Sequence, residues 1–162
     1  MRRKEKRGGW VIYLTLLMAL LIGLLPIPEQ WQMLRPELAV LAFIYWIMAT
    51  PDRVGIGTGF ILGLCLDVVT GTLLGLHAIG FSVLAFVVAV SHQRLRAVTR
   101  LQQTGVIFLL VILYLLLTLW LLNITGQQVT GWRYWIPAAT SAALWPLAFI
   151  ILRNLRRYFR VA

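Results

Sequence analysis

The stretch GIGTGFILGLCLDVVTGTLLG, residues 55–75, decides the fold because it places one carboxylate inside an apolar run. Putting an aspartate at the centre of a membrane-spanning helix costs about 2.5–3.5 kcal/mol on insertion scales. Such an acid therefore faces the interior of a helix bundle, a water-filled cavity or a partner. Asp67 thus indicates a specific contact inside a membrane protein.

Glycines precede this acid at intervals of four residues, at Gly55, Gly59 and Gly63. A stride of four advances about 400° around an α-helix, so these positions trace a slowly winding groove. Small residues at this spacing let a second helix come close. We predict that Gly55, Gly59, Gly63 and Asp67 form a packing face, either within the bundle or against a partner's transmembrane helix.

The end of the stretch predicts a turn and a new helix. Gly71 and Gly75 suit a turn, where a positive φ is useful. His77 then starts the following helix, and one interpretation is a polar pocket formed by Asp67 and His77. The alternative is a histidine that caps the helix or faces the membrane interface.

Three roles remain open for Asp67: a proton or ion relay, a neutral structural acid, or a polar partner for a neighbouring helix. The other four acids, Glu5, Glu29, Glu37 and Asp52, fall near the ends of apolar segments. Relays normally use several titratable groups within the membrane. The pattern therefore favours a structural or interaction role.

Composition indicates one integral membrane domain over residues 1–162. Hydrophobic residues make up 60% of the chain and charged residues 12%, whereas a soluble domain is about a quarter charged. The net charge is +10, and the basic residues lie at the ends of apolar runs. This position indicates that they orient the protein in the membrane and contact anionic lipids rather than nucleic acid.

Prolines, glycines and polar clusters divide the chain into six apolar segments. These predict an all-α, polytopic six-helix bundle with membrane spans over residues 10–25, 36–50, 54–69, 73–90, 104–122 and 134–152. The second and third segments are short for a hydrocarbon core of about 30 Å. We expect at least one of them to be tilted, broken or shielded by its neighbours.

The basic residues predict the orientation. With six spans and a cytoplasmic N-terminus, thirteen of the fifteen Lys and Arg residues fall on the cytoplasmic side, and only Arg35 and Arg133 fall outside. Lys and Arg are enriched in cytoplasmic loops. We therefore predict that both termini are cytoplasmic, with Arg94, Arg96 and Arg100 in the loop between the fourth and fifth spans.

Patterns typical of enzymes are missing from the sequence. Two histidines and one cysteine, far apart, do not have the spacing of metal ligands. No span carries paired carboxylates, and no glycine-rich loop is suited to cradle a phosphate. We therefore predict no catalytic, cofactor or metal site, and we interpret Cys65 as a buried, inert thiol.

Several motifs together resemble the bacterial rod shape-determining protein MreD family. They are Arg35-Pro36 before the second segment, YWIMATPDRV over residues 45–54, Gly57-Thr58-Gly59-Phe60, Gly63, Leu66-Asp67 and Leu74-Gly75. The resemblance extends over essentially the whole chain, and residues 45–75 carry most of its specificity.

This resemblance implies a role that composition does not show. Members of the family are inner-membrane components of the elongation complex without established catalytic activity. They associate with the scaffold MreC and, through it, with a class B penicillin-binding protein, a RodA-type glycosyltransferase, RodZ and MreB. Their fold is thought to be similar to the substrate-binding subunit of energy-coupling-factor transporters. The family pattern carries Asp67 and its preceding glycines.

Three functions follow as hypotheses. The favoured one is a non-enzymatic scaffold component that binds an MreC-like partner, with contacts to membrane lipids and a homodimer as further expectations. The second is a membrane protein that binds a lipid or small molecule in a pocket of the bundle. The third, a proton-coupled transporter, needs more buried titratable groups than the sequence provides.

Overall fold

The computed structural model describes residues 8–127, 129 and 131–161, so the basic start at residues 2–7 lies outside the described part. Every regular element in the described part is helical, which confirms the all-α prediction for these residues. In chain order the helices are α1 (Gly9–Leu24), α2 (Glu29–Gln32), α3 (Leu38–Ala49), α4 (Ile56–Thr70), α5 (Leu76–Ala97), α6 (Arg100–Ile124), a 3₁₀ helix (Trp132–Trp135) and α7 (Ile136–Tyr158).

Helix α3 is the centre of the molecule. Ten consecutive residues, Ala39–Met48, are buried, and an α-helix that is apolar all round is expected to be enclosed on every side. Helices α1, α5 and α7 pack against it. Since α3 has 12 residues, it is only about 18 Å long, and its neighbours shield it from lipid.

The other helices enclose this centre. Helix α4 packs against α5, α5 against α6, and α6 against α7. Large apolar side chains are exposed on the outer surface of the bundle, among them Phe60, Phe86, Leu109, Trp120 and Ile151. An apolar exterior around an apolar core is what a lipid environment requires.

Three helical segments are long and apolar enough to cross a membrane: Leu76–Ala97, Arg100–Ile124 and Trp132–Tyr158. Helices α1, α3 and α4 are also apolar but shorter, with 16, 12 and 15 residues. The chain is therefore a helical membrane protein. We call the end of the bundle with Arg35 and Arg133 the outer end, and the opposite end the inner end, after the orientation that the charges predict.

Two buried tryptophans join helices by hydrogen bonds. The indole Nε1 of Trp46 on α3 donates to Thr15 Oγ1 on α1 at 2.8 Å. The indole Nε1 of Trp145 on α7 donates to Gln103 Oε1 on α6 at 3.2 Å. Both rings are almost fully buried, so each N–H needs the partner that it finds.

The helix ends differ from the predicted segments at the inner end. The predicted segment 73–90 corresponds to α5, which continues to Ala97, and α6 begins as early as Arg100. Arg94, Arg96 and Arg100 therefore lie on helices, so their placement in a loop was wrong. Hydropathy marks where a helix leaves the hydrocarbon. The helix itself continues until Val98, where the backbone is extended, and Thr99 caps the next helix with Gln102.

Candidate functional site

The residues that the sequence marks as special meet where α4 turns into α5. Helix α4 ends at Thr70 and is capped by Gly71, with φ 66°, and Gly75, with φ 105°, precedes the first residue of α5. Both glycines are in the left-handed region, which residues with a Cβ rarely adopt. The five residues 71–75 can therefore reverse the chain tightly enough for α5 to return along α4.

The carboxylate of Asp67 lies inside this turn and is fully buried. Its Oδ1 accepts hydrogen bonds from Thr72 Oγ1 at 3.0 Å, from the backbone N–H of His77 at 2.9 Å and from the ring Nδ1 of His77 at 2.7 Å. Its Oδ2 accepts from the backbone N–H of Gly75 at 2.8 Å. Both oxygens thus have donors, which is the condition for burying a charge.

Asp67 acts as the N-terminal cap of a helix to which it does not belong. An N-cap side chain normally accepts from the N–H two or three residues ahead. Gly75 occupies the N-cap position of α5 but has no side chain. In place of an N-cap side chain, Oδ1 of Asp67 on α4 accepts a hydrogen bond from the N–H of His77. The helix dipole also stabilises a carboxylate at this end of α5. The acid therefore joins the end of α4 to the start of α5.

Two of the four predicted face residues pack directly against α5. A methyl group added at Gly63 would lie 2.7 Å from the carbonyl carbon of His77 and would overlap the backbone of Ala78. A methyl group at Gly59 would lie 2.9 Å from the carbonyl oxygen of Phe81. The two helices therefore meet backbone to backbone along this row.

Gly55 has a different position. It precedes the first residue of α4, and no atom lies within 4 Å of the place where its Cβ would be. The structure thus brings Gly59, Gly63 and Asp67 together against α5 and leaves Gly55 apart from that contact.

A polar cavity lies next to the turn at the outer end. It has a volume of about 260 Å³, and we call it the Arg35 cavity. Its polar lining residues are Arg35, Glu37, Thr70, His77, Tyr114, Thr118 and Tyr134. His77 thus contacts Asp67 and also borders this cavity, whereas Asp67 is not among the lining residues.

Sequence reasoning did not identify Thr72 and Ala78, and it predicted Gly75 for the turn but not as a donor to Asp67. Thr72 and the backbone N–H of Gly75 hold the carboxylate, and Ala78 is the small residue opposite Gly63. Thr72 carried a signal, since Ser and Thr hydroxyls hydrogen-bond within turns. Ala78 carried none, because one alanine among many apolar residues is unremarkable.

Two further predictions concern metals and Cys65. Among the described residues, no three His, Cys, Asp or Glu side chains are grouped closely enough to hold a metal ion. Cys65 was expected to be buried, but it is exposed on the bundle surface. It lies two residues before Asp67, so it falls on another side of α4, away from α5.

Comparison with known proteins agrees with the resemblance in the motifs. The family described as "rod shape-determining protein MreD" matches residues 4–155. The rod shape-determining protein MreD of Haemophilus influenzae is 33% identical over 139 residues, which are 86% of this chain and 86% of the relative. No solved structure matches the chain.

Proposed function

Because this chain belongs to the MreD family of rod shape-determining proteins, we propose that it is a non-enzymatic inner-membrane component of the complex that elongates the bacterial cell wall. The family match over residues 4–155 carries this proposal. The geometry supports it: the one fully buried acid in the described part is engaged by a turn of its own chain. That arrangement suits a rigid scaffold better than a relay, which must release its proton.

In the proposed topology the chain crosses the inner membrane six times, with both termini in the cytoplasm. Helices α1, α3, α4, α5, α6 and α7 are the spans. The short α3 is enclosed by other helices, so it needs no lipid-facing length of its own. The positive-inside distribution of Lys and Arg supports the orientation. The similarity to the substrate-binding subunit of energy-coupling-factor transporters stays a prediction.

The proposed direct partner is an MreC-like scaffold. Through it, the chain would help to organise a class B penicillin-binding protein, a RodA-type glycosyltransferase, RodZ and MreB. Gly59, Gly63 and Asp67 act here through the bundle, because they hold α4 on α5 and thereby fix the surface that the partner meets. Replacing any of them would disturb that surface indirectly.

The test uses cells depleted of their own MreD-family protein. We expect the wild-type chain to restore rod shape and to co-purify with the MreC-like scaffold. Asp67→Leu and Gly63→Leu should give rounded cells and at least about tenfold less scaffold, a loss equivalent to about 1.4 kcal/mol.

Gly57→Leu is the matched control, because Gly57 lies on the same helix with no atom within 4 Å of its Cβ position. It should keep both shape and partner. If Asp67→Leu and Gly63→Leu accumulate normally and still support rod shape with full scaffold recovery, the α4–α5 contact is dispensable and the proposal for these residues fails.

A second candidate function is the binding of a lipid or small molecule in the Arg35 cavity. Its support is the polar lining of a cavity of about 260 Å³, which includes both a basic and an acidic side chain. A few convergent polar groups in a concave site are typical of ligand pockets. Scaffold binding and ligand binding are compatible, since Gly59, Gly63 and Asp67, which hold α4 on α5, do not line the cavity.

A further inference from the structure

A second cavity lies at the inner end, where α3, α5 and α7 all finish. Its volume is about 260 Å³. Its lining residues are Tyr45, Met48, Ala49, Arg96, Phe149, Arg153 and Arg156. We call it the arginine cavity, because three of these seven side chains are guanidinium groups and no Asp or Glu of the described residues lines it.

Contacts within the protein hold two of these arginines in place. Arg96 on α5 donates a hydrogen bond to the carbonyl oxygen of Met48 in the last turn of α3. Arg156 on α7 donates from its Nε to the carbonyl oxygen of Val161 at 3.3 Å. Each contact uses only part of a guanidinium group, which has five N–H donors. Both side chains also line the cavity.

Arg153 is the third arginine that lines the cavity, and one of its hydrogen-bond donors has no partner in the described structure. Its Nε is buried and has no hydrogen-bond partner in the described structure. A buried donor on a charged group without a partner is costly. The guanidinium of Arg100 adds further positive charge nearby, since its Cζ lies 3.8 Å from the centroid of the Phe149 ring. The cavity therefore has a volume of about 260 Å³ and is lined by positive charge, with no Asp or Glu of the described residues to balance it.

Topology alone does not account for this convergence. Arginines that only orient a membrane protein extend separately toward the headgroups and water. Arg94, Arg157 and Arg160 fit that description, because all three are exposed and none of them lines the cavity. Arg96 is exposed too, but its guanidinium donates to the carbonyl oxygen of Met48. Arg96 and Arg153 instead come from different helices, 57 positions apart in the chain, and meet at one cavity.

We propose that the arginine cavity binds the phosphate of an anionic phospholipid, such as phosphatidylglycerol or cardiolipin, from the cytoplasmic leaflet. Guanidinium groups bind phosphate oxygens through paired, charge-assisted hydrogen bonds. Basic pockets between transmembrane helices on the cytoplasmic side are typical sites for such headgroups. The Tyr45 hydroxyl supplies a further donor, while Met48 and Phe149 provide apolar surface for the glycerol and the first acyl carbons.

The experiment measures lipid binding by the full chain, purified in a neutral detergent. The thermal unfolding midpoint is recorded with added phosphatidylglycerol or phosphatidylcholine, and retained lipid is measured by native mass spectrometry. We expect phosphatidylglycerol, but not phosphatidylcholine, to raise the midpoint. The double variant Arg153→Gln/Arg156→Gln should bind phosphatidylglycerol at least about tenfold more weakly, as the loss of charge-assisted hydrogen bonds predicts.

The matched control is Arg157→Gln/Arg160→Gln, which removes the same charge from exposed positions of the same segment. It should bind phosphatidylglycerol like the wild type. Equal losses in both double variants would show attraction by surface charge in general and would overturn the site. An equal rise with inorganic phosphate alone at the same concentration would overturn the assignment to a lipid.

Folding is checked by the unfolding midpoint in phosphatidylcholine. If the cavity double variant does not fold, Arg153→Lys replaces it, because lysine keeps the charge but lacks the planar fork. Weaker binding of phosphatidylglycerol by Arg153→Lys supports the proposal, and unchanged binding overturns it.

Discussion

At the scale of single residues, Asp67 shows how a buried carboxylate is tolerated in an apolar helix. The cost of removing its charge from water is offset by donors that the chain itself brings to it, from Thr72, Gly75 and His77. Two of these donors are backbone N–H groups at the start of a helix, where a carboxylate is favourable. A single residue thereby determines how two helices are joined.

Asp67→Asn is expected to destabilise the protein although it is nearly isosteric. The amide keeps one oxygen but turns an NH₂ group toward a site where the carboxylate accepted hydrogen bonds. An unsatisfied or repelled donor in a buried position costs about 1–3 kcal/mol. The measurement is the thermal unfolding midpoint in detergent.

Asp52→Asn serves as control, because Asp52 is an exposed acid in the turn between α3 and α4. It should unfold like the wild type. An Asp67→Asn protein as stable as Asp52→Asn would show that the charge of Asp67 contributes nothing to the turn.

At the scale of helices, Gln103 joins three elements at the inner end. Its Nε2 donates to the carbonyl oxygen of Leu95 in the last turns of α5 at 3.0 Å, and its Oε1 accepts from Trp145 of α7. The last four carbonyl groups of a helix have no partner within that helix. The Gln103 side chain therefore caps α5 while it holds α7 against α6.

Gln103→Leu should lower the free energy of unfolding by about 2–6 kcal/mol. The leucine has similar size, but it leaves the Leu95 carbonyl and the Trp145 N–H without partners, at about 1–3 kcal/mol for each group. Unfolding in detergent followed by tryptophan fluorescence gives the measurement.

Gln93→Leu is the comparison, since Gln93 is an exposed glutamine on α5. It is expected to change the free energy of unfolding by less than about 0.5 kcal/mol. If both variants unfold alike, the bridge through Gln103 does not hold the three helices.

At the scale of the whole molecule, charge and apolar surface determine how the bundle sits in the membrane. Most of the basic residues that the structure describes gather at the end where α3, α5 and α7 finish, while the sides of the bundle expose large apolar side chains. Because Lys and Arg are enriched on the cytoplasmic side of membrane proteins, we expect the basic end to lie in the cytoplasm.

Labelling of single cysteines tests this orientation. In a Cys65→Ser background, Gln127→Cys lies beyond the end of α6 at the outer end, and Gln93→Cys lies on α5 near the inner end. A maleimide that reaches the periplasm but does not cross the inner membrane should label the first and not the second. After the cells are lysed, both should react. Labelling of Gln93→Cys in intact cells would contradict the six-span orientation.

Much of the site was predictable from local features. Gly71 and Gly75 are residues that suit a tight turn, and the stride of Gly59, Gly63 and Asp67 follows from helix geometry. The partner of this row was left open between the bundle and another protein. Only the packed structure places α5 there, because a close approach depends on both surfaces, and Ala78 bears no local signal.

Hydropathy, helix periodicity and the positions of the basic residues are properties of short segments, so the sequence by itself determined that this is a helical membrane protein, and roughly where its apolar segments lie. Tertiary structure alone decided which N–H groups meet Asp67, that α3 is enclosed by its neighbours, and that Arg96 and Arg153 converge on one cavity. The donors to Asp67 lie only 8 and 10 residues further along the chain, but the shape of the turn decides that they reach the carboxylate. The contacts of α3 and of the two arginines join residues far apart in the chain. They arise when whole helices pack, which no window of local sequence contains.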